Sequence, residues 1–265
     1  MIPVAEPSLS VKETEYVQRA IITGWVSGGG EWVERFEEMV AKAVGRRWAV
    51  ATLSGTMALH VALDAVGTKP GHTVEMPSLT FCAAANALSW IGATPHFVDI
   101  EKNWSPDFSW IGSDVFDAAP AIARQHWPNW WRVPWKTECA ILSFNGNKTI
   151  TTGQGGAVVG DDDDLRRQVL HLANLAKVRD YQVSEIGYNA RMANVNAAIG
   201  CAQMERLEEF RGCKDSIMRR YKTAGLSLQA SAWMALWQIP QDVTRESAIL
   251  HLEDAGIAAR PFWQP

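Results

Sequence analysis

Between Glu31 and Val44 the apolar residues Trp32, Phe36, Met39, Val40 and Ala43 recur at helical spacing, and Gly45 follows where a helix would end in a left-handed residue. The pattern then changes. Arg47–Leu53 contains the continuous apolar run Trp48-Ala49-Val50-Ala51, which predicts a buried strand. Ser54 stands where it can cap a helix over Thr56–Val66, which Gly67 would stop. The cycle repeats with a strand at Thr73–Met76, a helix over Phe81–Trp90 stopped by Gly92, and a strand at His96–Asp99. Strands at Asp114–Asp117, Ala140–Ser143 and Ala157–Val159 continue the series, and a helix over Asp162–Asn174 closes it. Strands alternating with helices at this spacing build βαβ units. The expected fold is therefore α/β, a mainly parallel sheet flanked by helices.

Asn194–Arg211 predicts one long helix. Beyond Lys214 the pattern predicts a further helix, a short strand within Trp233–Ile239 and an amphipathic helix over Val243–Ala255. The expected division is a large domain over residues 1–212 and a compressed C-terminal subdomain over 213–265. No internal repeat or low-complexity linker interrupts the chain.

With 265 residues, 47% of them hydrophobic and 20% charged, the chain can bury a real core and is not of disordered composition. A net charge of −4 without a Lys/Arg-rich block argues against a nucleic-acid partner. No apolar run is long enough to span a membrane, and the N-terminal residues lack the features of a signal peptide. Cys82, Cys139, Cys201 and Cys213 are widely spaced without a C-x-x-C pair, so neither a disulfide framework nor a metal site is expected, and a cytoplasmic protein with reduced thiols is. Asp161–Asp164 precedes a predicted helix, where dipole complementarity and solvation explain it better than a metal. Trp127, Trp130, Trp131 and Trp135 cluster; buried area is the favoured reading, a carbohydrate platform the alternative.

Three features bear chemistry, in chain order. Ser54-Gly55-Thr56 lies where a strand turns into a helix, and the free N–H groups there suit an anion such as phosphate. Alone this is a weak signal. Asp117 ends a strand, at the edge of a parallel sheet that faces a ligand crevice, where it could pair with a protonated ring nitrogen or merely cap a loop. Lys148 lies in the loop Ser143-Phe144-Asn145-Gly146-Asn147-Lys148-Thr149-Ile150-Thr151-Thr152-Gly153-Gln154-Gly155-Gly156. A desolvated lysine near other positive groups has a lowered pKa and forms imines with carbonyls. A Walker-type phosphate loop does not fit, because Gly146 precedes Lys148 by two and no glycine stands at the required upstream spacing.

These residues carry a resemblance to the DegT/DnrJ/EryC1/StrS family of pyridoxal-phosphate (PLP) sugar aminotransferases. Within it the chain is most similar to the branch that aminates UDP-linked 4-keto-6-deoxy sugars for bacillosamine- and legionaminic-type products. The matching stretches include Thr23–Ser27, Ser54–His60, Pro77–Phe81, Asp117–Ala119, Ser143–Gly156 and Glu185–Met192, and they cover most of residues 1–222. The resemblance implies a fold-type I aminotransferase, with L-glutamate as amino donor, a nucleotide sugar as acceptor, and the pyridoxamine form as intermediate. By position it implies that Lys148 holds the cofactor and shuttles the proton, and that Asp117 pairs with the pyridine nitrogen. It further implies that Gly55, Thr56 and Ser143 bind the phosphate and that Phe81 stacks on the ring. Asn189 and Arg191 would reach the phosphate region of a neighbouring subunit in a homodimer with shared sites.

The chain also departs from the family. It lacks a strand–helix unit between Asp99 and Asp117, its C-terminal part is compressed, and Pro120 replaces a hydrogen-bonding residue near the cofactor's phenolic oxygen. Amination at C4 is the expected reaction. The alternatives are another keto substrate or C3, and a non-catalytic relative that serves as a binding partner. Dehydratase relatives replace the lysine with histidine, and Lys148 argues against that reaction.

Overall fold

The computed structural model describes residues 1–100, 107–124, 138–179, 182–229 and 231–263. In chain order the elements are α1 (Val11–Ile22), α2 (Glu31–Val44), β1 (Trp48–Thr52), α3 (Gly55–Ala65), β2 (Thr73–Pro77), α4 (Ala83–Ile91) and β3 (Thr94–Val98). There follow β4 (Ser109–Ile111), β5 (Val115–Asp117), a 3-10 turn (Ala121–Ala123), β6 (Cys139–Ser143), β7 (Gly156–Gly160) and α5 (Asp163–Ala173). The chain continues through α6 (Asn194–Glu205), α7 (Leu207–Thr223), β8 (Leu228–Gln229), β9 (Leu236–Trp237) and α8 (Arg245–Asp254). The tryptophan cluster at 127–135 lies outside the described residues.

A five-stranded sheet in the order β1-β7-β6-β5-β4 forms the centre. β5 and β6 are parallel, and β7 runs antiparallel to both β6 and β1, so β1, β5 and β6 share one direction. β2 and β3 form a separate parallel pair joined through α4. Side chains alternate across the sheet as the pleat requires. Ala49, Ala51, Ala140, Leu142, Ala157 and Val159 face α2 and α6, where Phe36, Val40 and Cys201 meet them. Trp48, Val50, Cys139, Ile141 and Val158 face α3 and α5, against Leu59, Leu63, Val169 and Leu172. Each fully buried Leu or Phe here contributes about 1.5–3 kcal/mol of transfer free energy. The result is a three-layer α/β/α body with β1, β6 and β7 buried on both faces, which is why they read as continuous apolar runs.

The segment before β5 has taken an unusual form. Between β3 and β5 the described residues form only β4, which folds back antiparallel on β5 through a turn at Gly112, φ +61°. The Gly112 N–H donates to the Glu75 carbonyl at 2.8 Å, tying this hairpin to β2. A short antiparallel strand thus stands where the family resemblance implies a strand–helix unit.

The expected long helix over Asn194–Arg211 is two helices. Arg206, at φ −102° and ψ 7°, separates α6 from α7. The cause is tertiary. Gln203 on α6 bonds Glu13 Oε1 (2.6 Å) and the Ser8 carbonyl (2.9 Å), whereas Arg211 on α7 donates to the carbonyls of Ile122 and Ala123, both at 3.1 Å. α7 then runs to Thr223 and carries the chain across the expected boundary at 212/213 without a break. Helix α1 was not expected, although Ser10 and Glu13 form a reciprocal capping box at its start. Asp162 caps α5 by accepting from Leu165 N (2.8 Å), and Asp161 pairs with Arg46 and accepts from Arg47 N (2.9 Å). No helix among the described residues is long and apolar enough to cross a membrane.

Candidate active site

Because β1, β5 and β6 run the same way, their carboxyl ends meet along one edge of the sheet, where α/β proteins bind ligands. β1 delivers Ser54–Thr56, β5 delivers Asp117, and β6 delivers Ser143 and the loop that follows. All of Gly55, Thr56, Phe81, Asp117, Ser143 and Lys148 line one cavity of about 340 Å³. That volume lies within the range of small-molecule sites.

The lysine loop is closed on itself. Phe144 N donates to the Gly155 carbonyl (2.9 Å) and Thr152 N to the Phe144 carbonyl (3.0 Å), while Phe144 and Ile150 are fully buried pegs. Between the pegs Lys148 projects into the cavity, its N–H bonded to the Asn145 carbonyl at 2.9 Å. Desolvation brings the Lys148 ammonium down to about 8; the charge of Asp117 opposes this, Arg260 reinforces it and Asp107 opposes it. The Lys148 Nζ also lies 3.9 Å from the centre of the Trp233 ring. Asp117 is 7% exposed, and burial pushes its carboxyl up in spite of the N–H of Ala119 (3.0 Å) and the charge of Lys148. A buried carboxyl with one backbone donor is suited to a cationic partner.

At the start of α3 the Ser54 side chain accepts from Met57 N and the Ser54 carbonyl from Ala58 N. Position in the helix leaves the N–H groups of Gly55 and Thr56 without an intrahelical acceptor. A β-carbon at Gly156 would lie 2.5 Å from Gly55 N, and one at Gly55 would lie 2.8 Å from Ser143 Cβ. Glycine at both positions lets β6, β7 and the helix start close together, so that Ser143 and these donors border the same space.

The donor set fits pyridoxal phosphate. An amine of lowered pKa faces a buried carboxyl, and a helix N-terminus flanked by hydroxyls stands ready for a phosphate. When bound, this cofactor supplies an electron sink for a substrate carbanion. Lys148 can hold it covalently and move a proton at the adjacent carbon; Asp117 can keep its ring nitrogen charged; Phe81, 54% exposed at the cavity, presents a ring face. Pro120 also borders the cavity and offers no N–H.

Asn189 and Arg191 are not brought to this cavity. Asn189 is exposed, in a bridge with Asn174. Arg191 donates to Glu37 Oε1 at 2.7 Å and to the Ala51 carbonyl at 3.3 Å, an internal strut between α2 and β1. Conversely, Asn147, Gln154, Trp233, Arg260 and Trp263 line the cavity and were not among the expected site residues. Asn147 and Gln154 lie in the lysine loop that the sequence singles out. The other three lie in the chain beyond α7, and no spacing in the sequence ties them to Lys148.

Fold and site together fit a pyridoxal-phosphate enzyme. The family profile described as DegT/DnrJ/EryC1/StrS aminotransferase matches residues 7–127 and 114–265. The two matches overlap over residues 114–127. A GDP-perosamine synthase of Escherichia coli O157:H7 is 34% identical over 312 aligned positions, covering 100% of this chain and 85% of the relative. A GDP-perosamine synthase of Caulobacter vibrioides is 32% identical with the same coverage. Among solved structures, a Streptococcus pneumoniae protein assigned as a sugar aminotransferase, in its PMP form, superposes with a TM-score of 0.86 at 18% identity, over 100% of this chain and 86% of its own. The chain belongs to the DegT/DnrJ/EryC1/StrS aminotransferase family and is a PLP-dependent aminotransferase.

Proposed function

We propose that this protein transfers an amino group from L-glutamate to the C4 keto group of a nucleotide-linked deoxy sugar. The observation that carries the reading is Lys148, largely desolvated, facing Asp117 across a cavity that also holds the start of α3. The resemblance of the motifs to the UDP-sugar branch and the names of the GDP-perosamine synthases differ over the nucleotide; the identity to the latter favours a GDP-linked acceptor. The test uses the PLP-loaded protein. L-Glutamate should bleach its visible band, and a 4-keto-6-deoxy sugar linked to GDP should restore it faster than its UDP counterpart. A band that L-glutamate leaves unchanged refutes the donor half-reaction, and restoration by neither sugar refutes the acceptor.

The working form we propose is a homodimer in which Asn189 completes the site of the second copy. Two exposed apolar features support this. Trp25 is 64% exposed and Ile186 is 84% exposed, and Asn194 Nδ2 ties the Trp25 carbonyl (2.7 Å) to the end of the Gly187–Met192 stretch. On this reading Arg191 orients that stretch through Glu37 and leaves the phosphate contact to Asn189.

A further inference from the structure

Trp233 is 2% exposed although it belongs to the small C-terminal part of the chain. Its indole Nε1 donates to the carbonyl of Asn147, the residue before Lys148, at 2.7 Å. Its ring face lies under the Lys148 Nζ at 3.9 Å, well inside the range of a cation–π contact. The turn that carries it is held by Asp107, whose side chain is wholly buried. Asp107 Oδ1 accepts from Ser231 Oγ (2.7 Å), and Oδ2 accepts from Ala232 N (2.8 Å) and Arg124 Nε (2.9 Å). Ser231 Oγ in turn accepts from Trp233 N at 3.1 Å. Every group in this chain of contacts is paired, and it ends at the reactive amine.

From this geometry we infer that Trp233, anchored by Asp107, is the positioning residue of Lys148: its indole face holds the ammonium form that the free lysine takes once it has accepted a proton. The inference rests on Lys148 being the cofactor-bearing lysine. Its physical content is that the ring favours the charged amine, while burial in the same pocket disfavours it. The charged groups facing Lys148 are Asp117 from β5, Asp107 ahead of β4 and Arg260 from the C-terminal segment; the ring adds an attraction without adding a charge. Asp107 lies in the shortened stretch ahead of β5, so the hairpin that replaces a strand–helix unit has acquired the task of fastening the C-terminal subdomain to the catalytic loop.

The test keeps the shape and changes only the ring. Trp233 is replaced site-specifically by singly and multiply fluorinated tryptophans in the full chain, stripped of cofactor by dialysis. Competitive acetylation across pH, read at the Lys148 peptide by mass spectrometry, then gives the pKa of this amine alone. A cation–π contact predicts a stepwise fall along the series, totalling roughly half to one and a half pKa units. Trp233→Phe, which keeps a ring face, should stay closer to the native value than the most fluorinated variant. A flat series overturns the role of Trp233, as does a rise. Absorbance after adding PLP forms the second arm. A chain whose Lys148 takes up no cofactor overturns the aminotransferase reading, whereas a flat series in a chain that does take it up overturns the positioning role alone.

Discussion

Lys148 should make the cofactor-free protein less stable at neutral pH, and the size of the effect follows from its surroundings. Its folded pKa of about 8 lies below the ordinary 10.5. Between these values the unfolded chain binds more protons than the folded one, so stability rises with pH through that window. Below pH 8 both states are protonated and the full penalty applies; above 10.5 both are neutral and it vanishes. Two and a half pKa units correspond to roughly 3 kcal/mol, most of which is relieved between pH 7 and pH 10. Lys148→Met removes the titration while keeping an unbranched apolar stem. The unfolding free energy of Lys148→Met minus that of the native sequence should therefore shrink by about 2 kcal/mol from pH 7 to pH 10, after a discount for partial solvent screening. Urea denaturation of the cofactor-free proteins at constant ionic strength measures this difference, and changed packing cancels between the two pH values. A difference that is flat with pH, or that grows toward pH 10, would refute the desolvated-amine argument.

Asp117→Ala should still capture PLP at Lys148, but lose on the order of a hundredfold or more in the half-reaction with L-glutamate, measured by single-turnover bleaching. Arg191→Met should destabilise the chain by roughly 3 kcal/mol in urea, because it strands the Glu37 carboxylate in a site where burial already raises its pKa. Asp162→Ala should cost about 1 kcal/mol for the lost cap on α5, with unchanged activity. Mixing Lys148→Ala with Asn189→Ala, each inactive alone, should restore activity if the sites are shared; proven mixed dimers without activity would place Asn189 outside the partner's site.

The parts of this site that could be read from the sequence are those that travel with a strand. Lys148 stands out because its Gly- and Thr-rich loop follows a buried apolar run, and Asp117 because it ends one. The start of α3 declares itself through Ser54, whose side chain accepts from Met57 N. Trp233 was out of reach. It touches a loop some eighty-five residues earlier, and what brings it there is a carboxylate at Asp107 that only the tertiary structure shows to be buried. The break at Arg206 was illegible for the same reason, since α6 and α7 each answer to partners far away in the chain. Helix α1 is a different kind of miss. Its capping box is written in Ser10 and Glu13, a local signal with a local cause.

The shortening leaves Lys148, Asp117 and the start of α3 along one cavity because it falls ahead of β5, at the outer edge of the sheet. Lys148, Asp117 and the start of α3 depend on three strands, β1, β5 and β6, whose parallel alignment is set by pairing with β7 and with each other. β4 lies at the far edge and needs only to cover β5 and hand Asp107 to the C-terminal turn. A short antiparallel strand does this as well as a longer parallel one would. Phe108 and Ser109, where the outer strand begins, line the cavity, so on the proposed function they border the acceptor. A side-chain substitution at Ser109 that leaves Asp107 and the β4–β5 pairing in place should therefore move the KM for the sugar nucleotide more than it changes covalent cofactor capture at Lys148.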